Sequence, residues 1–222
     1  MKKLAIFDLD GTLISSLDDL TLSINEALSY YSLPNISKLQ CQNAIGDGAK
    51  MLMKRALKLV NYEPKDDAEF EAILEKYNSI YGASPKSNTI PFDGIIDMLS
   101  KLKAIGYTVG VVSNKPDIFT KEISKKLFGG LLDFAYGQKD GFPKKPDPYL
   151  VNLVIKEQGF ENSDSIYIGD SDIDVITAKN AETTSIAVSW GYRSREVLVN
   201  HYPDYIADSV SELTNIFEKL SK

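Results

Sequence analysis

The chain has 222 residues, 43% of them hydrophobic and 25% charged, with a formal net charge of −6. That size is ample for a proper core of one or one and a half domains, and the balance excludes disordered and fibrous classes. An acidic chain without an arginine-rich stripe has no general affinity for nucleic acid, because a phosphate backbone needs a basic surface. Cys41 is the only cysteine, which rules out an internal disulfide and a cysteine-rich metal site and places the expected compartment in the reducing cytoplasm. The apolar run at the N-terminus breaks at Asp8, too short for a signal-peptide core, and no later stretch has the length of a membrane span. The expectation is a protein neither exported nor anchored.

In chain order, "LAIF" at 4 to 7 is apolar on both alternating faces, which predicts a strand covered on both sides. Residues 17 to 31 then carry Leu17, Leu20, Ile24, Leu28 and Tyr31 at helical spacing. Two further helical stripes follow, one through Leu52, Met53, Ala56, Leu57 and Val60, the other through Phe70, Ile73, Leu74, Tyr77 and Tyr81. They predict a helical insert over 16–83, bounded by the turn-rich "GASPKSNTIP". From Pro91 helices alternate with the apolar strands "YTVGVVS", "LDFAYG", "SIYIG" and "TSIAVSW", as in a parallel sheet with helices on both faces. The expected fold is α/β, a doubly wound parallel sheet built from 1–15 and 84–222, interrupted after its first strand by an all-helical domain over 16–83.

Ligands of such sheets bind beyond the carboxyl ends of the strands, so the residues that follow each apolar run carry the information. The first strand ends in Asp8 and Asp10, "VGVV" ends in Ser113 and Asn114, and "SIYIG" ends in Asp170, with Asp174 one helical turn on. Lys145 lies between the second and third of these, in "PKKPDP". Each residue alone has a plainer reading: Asp170 and Asp172 as helix caps, Asp10-Gly11 as a turn, Lys145 as a solvated charge. Together they suit phosphate chemistry. Asp8 and Asp170 make a hard-oxygen pocket for magnesium, Lys145 supplies a point charge, and the Ser113 hydroxyl supplies hydrogen bonds. Pro116 suits a first helical position, which puts the amides around Asn114 at a helix N-terminus. Asp8 is the expected nucleophile, and Asp10 has the position of a general acid and base.

"DLDGT" at 8 to 12, Ser113 after an apolar strand, Lys145 before Pro146 and "GDSDID" at 169 to 174 resemble the four motifs of the haloacid dehalogenase superfamily. The resemblance implies a Rossmann-like core and a cap domain formed by the helical insert. It implies a magnesium ion held by the Asp8 side chain, the Asp10 backbone carbonyl and Asp170, with Asp174 behind them. Asp10 favours phosphoryl transfer, since haloacid dehalogenases proper lack this residue. Within the cap, "IGDGAKMLMKRAL" at 45 to 57 is similar to the phosphoglycolate phosphatase-like members, as are "VSNKP" and "YIGDSDIDV". Gly46 and Gly48 permit close backbone approach, and Lys50 can meet a substrate carboxylate or simply face solvent. Ser15-Ser16 stands where many relatives have an acid-Ser pair.

The implied activity is magnesium-dependent hydrolysis of a small phosphate monoester, best matched by 2-phosphoglycolate, with a nucleotide, a sugar phosphate or pyrophosphate as other substrates of the same chemistry. A phosphomutase would need proton traffic in the cap, which has no histidine; the lone His201 is far from every motif and reads as surface or packing. A non-catalytic phospho-aspartate module would need neither Asp10 nor the insert. The expected partner is thus a small phosphorylated metabolite, with no nucleic acid and no membrane. Nothing in the sequence sets an oligomeric state.

Overall fold

The computed structural model of the chain describes residues 3–221. It opens with β1 (Leu4–Phe7) and the two-residue strand β2 (Ile14–Ser15), followed by four helices, α1 (Leu17–Tyr30), α2 (Lys38–Ala44), α3 (Gly48–Leu59) and α4 (Asp67–Ala83). After β3 (Ile90–Pro91) come α5 (Ile95–Ala104), β4 (Thr108–Pro116), α6 (Asp117–Phe128), β5 (Phe134–Gln138) and α7 (Tyr149–Gln158). The chain ends with β6 (Ser165–Gly169), α8 (Asp172–Asn180), β7 (Thr184–Val188), α9 (Arg195–Val199), β8 (Tyr205–Ala207) and α10 (Val210–Leu220). It divides into two compact units, one made of the chain up to Ile14 and from Pro91 onward, the other Ser15–Ile90.

The first unit is a six-stranded sheet in the order β5-β4-β1-β6-β7-β8, parallel at every pairing. The alternation within β1 explains its place at the centre. Ala5 and Phe7 join one core layer with Leu99 and Leu102 of α5, Ile123 of α6 and Phe217 of α10. Leu4 and Ile6 join the opposite layer with Val151, Val154 and Ile155 of α7 and Ala178 of α8. All four β1 side chains are fully buried, as a strand sandwiched between two helical layers requires. Burying two such layers is the main favourable term for this unit.

The second unit contains α1 to α4. Leu20, Ile24 and Leu28 of α1 are buried, as are Phe70, Ile73, Tyr77 and Tyr81 of α4, and the two helices pack along each other. The segment 84–90, which the sequence assigns to the sheet unit, groups with the helices instead. Asp19 of α1, only 6% exposed, links this segment to the helices. It accepts hydrogen bonds from Asn88 N (3.0 Å), Asn88 Nδ2 (2.9 Å) and Thr89 Oγ1 (2.7 Å). α2 is absent from the predicted elements, although Ser37 and Gln40 form a reciprocal capping box at its start. Among the described residues no helix is long and apolar enough to cross a membrane.

Candidate active site

Three adjacent strands, β4, β1 and β6, end on the same edge of the sheet, and their register brings the polar residues together. The Asp8 N–H donates to Ile168 O at 2.8 Å, which extends the β1–β6 ladder by one residue and fixes the Asp8 backbone. Asp8, Asp170 and Asp174 each present a carboxylate oxygen, all within 4.8 Å of one another. Lys145, from the loop before α7, is 3% exposed. Its Nζ lies 2.7 Å from Asp174 Oδ1 and 3.0 Å from Asp8 Oδ1, and it donates to Tyr167 Oη at 2.8 Å. Tyr167 Oη in turn donates to Val112 O at 2.9 Å. The contact to Asp8 lies off the angle a hydrogen bond needs, so Asp8 Oδ1 is a buried oxygen with no hydrogen-bond donor.

Among the described residues, three clustered carboxylates lie beside the Lys145 ammonium. Burial pushes the Asp8 carboxyl up to about 6, against the pull of the Lys145 charge, with the Asp174 charge adding to the rise and a hydrogen bond from the Ser113 side chain opposing it. Burial likewise raises Asp170, to about 8, helped by the charges of Asp174 and Asp8. Burial pulls Lys145 down, but Asp174 and Asp8 outweigh it and hold its ammonium well above the usual lysine range.

Asp170 sits in a cradle of close backbone. A Cβ on Gly11, whose φ is +87°, would lie 2.4 Å from Asp170 Oδ2, and one on Gly191 would lie 2.3 Å from Asp170 Cβ. Only glycine permits either approach. Thr12 Oγ1 donates to Asp170 Oδ1 at 2.9 Å and Tyr192 N to Asp170 Oδ2 at 2.7 Å. The Trp190 indole N–H donates to Thr12 O at 3.1 Å, tying the segment after β7 to the "DLDGT" segment. Each Asp170 oxygen accepts one bond and keeps a further lone pair.

A family model for haloacid dehalogenase-like hydrolases matches residues 5–188, most of the chain. The chain belongs to the haloacid dehalogenase-like hydrolase family. It is 30% identical over 220 residues to a phosphoglycolate phosphatase of Vibrio vulnificus, covering 96% of this chain and 95% of that protein. It is 34% identical over 224 residues to a phosphoglycolate phosphatase of Agrobacterium fabrum, covering 99% and 94%. Among solved structures, a predicted phosphoglycolate phosphatase from Haemophilus somnus superposes with a TM-score of 0.89 at 30% identity, covering 97% of each chain. A haloacid dehalogenase-like family hydrolase from Streptococcus pneumoniae, at 22% identity and a TM-score of 0.86 over 97% of this chain and 98% of that one, shares the fold. The chain is thus a phosphatase-type hydrolase of the haloacid dehalogenase-like family, with an acidic cluster suited to a metal ion.

Within that family frame the residues singled out in the sequence fall into three groups. Asp8, Ser113, Lys145, Asp170 and Asp174 lie together at the strand ends. The plainer reading of Asp170 and Asp172 as helix caps does not hold: α8 is capped by Ser171, whose side chain accepts from Asp174 N while the Asp174 carboxylate accepts from Ser171 N. Asp174 therefore both closes the helix and anchors Lys145. Asn114 differs from expectation. Its Oδ1 accepts from Lys145 N at 2.9 Å and its Nδ2 donates to Lys145 O at 3.1 Å. The side chain of Asn114 thus serves to fix Lys145. Pro116 stands at the N-cap of α6 and not at its first turn.

Asp10 belongs to a second group. Its carboxylate faces Lys115, a residue without a role in the sequence reading. Gly46, Gly48 and Lys50 form the third, in the helical unit. Gly46 and Gly48 have φ of 124° and 80°, and Lys50 is ion-paired with Glu71 of α4. His201 Nδ1 lies 2.8 Å from Val197 O, one turn back, in keeping with a packing role. Sequence reasoning also missed the Trp190–Tyr192 segment, for which the only written signal is a glycine after an apolar strand.

Proposed function

We propose that the protein is a magnesium-dependent phosphatase that hydrolyses a small phosphate monoester, with 2-phosphoglycolate as its best substrate, through an aspartyl-phosphate on Asp8. The observation that carries this reading is the charge imbalance around Asp8: three clustered carboxylates, one ammonium, and an Asp8 oxygen with no hydrogen-bond donor. An all-oxygen donor set that, once ionised, carries two more negative charges than Lys145 offsets fits a small hard dication. Asp8 and Asp170 would hold it, with the Asp10 backbone carbonyl. The ion would neutralise charge on the phosphoryl oxygens and orient them.

The chain's own residues supply the rest. Lys145 and the Ser113 hydroxyl, with the Asn114 N–H, bind the phosphoryl oxygens. An Asp8 oxygen forms a bond to phosphorus as the bond from phosphorus to the leaving oxygen breaks, and Asp10 gives its proton to that oxygen. Asp10 then takes a proton from water as the water oxygen attacks phosphorus, and the Asp8–phosphorus bond breaks to release inorganic phosphate and restore the carboxylate. The helical unit, inserted directly after the "DLDGT" segment, is read as the cap that selects the leaving group, with Gly46, Gly48 and Lys50 as its candidate contacts. A cytoplasmic setting accords with a single, buried, unpaired thiol at Cys41.

The test is phosphate release from a panel containing 2-phosphoglycolate, a nucleoside monophosphate, a sugar phosphate, pyrophosphate and an aryl phosphate, with magnesium and with a chelator. Turnover that needs magnesium and is greatest on 2-phosphoglycolate is expected, and Asp8→Asn should lower it by about a thousandfold or more. No release from any ester under magnesium removes the hydrolase reading. Full activity in Asp8→Asn removes the covalent mechanism.

A further inference from the structure

Lys115 is a buried cation that the chemistry above leaves unused. Its side chain is 5% exposed, and its Nζ lies 3.1 Å from both Oδ1 and Oδ2 of Asp10. It stands two residues beyond Ser113 at the end of β4, on the strand next to β1. Sinking an ammonium into a protein interior is costly unless the geometry of its partner is good, and an apolar residue of similar volume would fill the space at less cost. A cation equidistant from both oxygens fixes the plane of the carboxylate as well as its direction. A free aspartate turns about two side-chain bonds, whereas a proton donor must stay within hydrogen-bond reach of one particular atom.

We propose that Lys115 is a positioning residue for phosphoryl transfer: it holds the Asp10 carboxyl in the orientation from which it exchanges a proton with the leaving oxygen. This rests on Asp10 being the general acid. Removal of Lys115 then hurts most where the leaving group needs a proton. An alkyl phosphate expels a strongly basic alkoxide and depends on the acid, whereas 4-nitrophenyl phosphate expels a phenolate that departs unaided. Because kcat/KM reports only the steps up to leaving-group departure, the ratio of kcat/KM values for the two esters isolates proton donation from the later hydrolysis of the phosphoenzyme.

The experiment compares 2-phosphoglycolate with 4-nitrophenyl phosphate in the wild type, Lys115→Met, Lys115→Arg and Asp10→Asn, with thermal melts of each. Lys115→Met is expected to lose about tenfold or more in kcat/KM on the alkyl ester beyond any loss on the aryl ester, a misplacement of the size known to matter in catalysis. Lys115→Arg, which keeps the charge, should regain part of that difference. Equal losses on both esters, in whichever of the two lysine variants folds, assign the ion pair to stability alone and overturn the proposal. Asp10→Asn keeps the two readings apart. If it too treats both esters alike, the acid role of Asp10 falls; if it discriminates and the lysine variants do not, only the role of Lys115 falls.

Discussion

The backbone of Gly191 lies so close to Asp170 that a Cβ there would stand 2.3 Å from the aspartate's own Cβ. Added bulk at this point has to push Asp170 away from Thr12 and from the other two carboxylates. Gly191→Ala should therefore weaken metal binding by about 10- to 100-fold, the usual cost of disturbing the groups that orient a ligand. Calorimetric titration of the metal-free protein with magnesium or manganese measures this directly. An affinity within about twofold of wild type would show that the cradle does not set the position of the carboxylate.

Lys145 pairs with both Asp8 and Asp174, and it is 3% exposed. Lys145→Met keeps most of the volume and leaves the carboxylates without their counter-charge. A loss of about 3–5 kcal/mol in denaturant unfolding is expected for breaking such a buried pair. Magnesium should narrow the deficit, since a dication can offset the same acids. A loss below about 1 kcal/mol, the scale of an exposed pair, would contradict the buried network.

Asp8 and Asp170 have carboxyls raised in the folded protein, to about 6 and about 8, from an ordinary 3.8. In the metal-free protein the folded state then binds more protons than the unfolded chain across that window. The corresponding stability is present below the unfolded value and is lost as pH rises through about 6 for Asp8 and about 8 for Asp170. Asp170→Asn, which imitates the protonated form, should melt above the wild type in chelator at about pH 8 and lose that advantage near pH 5. With magnesium the order reverses at high pH, because only the ionised carboxylate binds metal. Identical melting curves for the two proteins in chelator at both pH values would refute the raised carboxyl.

In the helical unit Asp19 collects three donors from Asn88 and Thr89. Asp19→Ala leaves these groups without their acceptor, at about 1–3 kcal/mol for each donor that stays buried. The segment 84–90 is expected to exchange its amide hydrogens faster while the β1 peptides keep their protection, as read by mass spectrometry. Unchanged exchange across 84–90 would mean that other contacts hold it.

How far the sequence could be read depends on whether a feature is written in one place or two. The double apolar face of β1 needs only four consecutive residues, and polar residues after apolar runs mark the strand ends, so the sheet and Asp8, Ser113, Lys145 and Asp170 were legible. Lys115 was not, because a lysine in "VSNKP" looks like any solvated charge until the fold brings Asp10 against it. The grip of Tyr192 on Asp170 comes from a backbone N–H, which every non-proline residue possesses. Asn114 carries the same lesson in reverse: its position after the apolar run "VGVV" suggests an anion, while its side-chain amide is committed to Lys145. The α2 capping box, Ser37 with Gln40, was a written signal that the helical stripes overshadowed.

The central place of β1 also governs the order in which the molecule can be built. Leu4 pairs with Thr108 on one side and with Ser165 on the other, so β1 lacks both neighbours until residues far downstream of it have been made. The helical unit, continuous from Ser15 to Ile90, needs no such wait. Long-range pairing of this kind is slow and leaves apolar surface exposed in the meantime. The nascent chain thus holds Asp8, the proposed nucleophile, on an unpaired strand through much of synthesis, and a product stopped before Ser165 has Asp8 without the Asp170 and Asp174 that cluster with it.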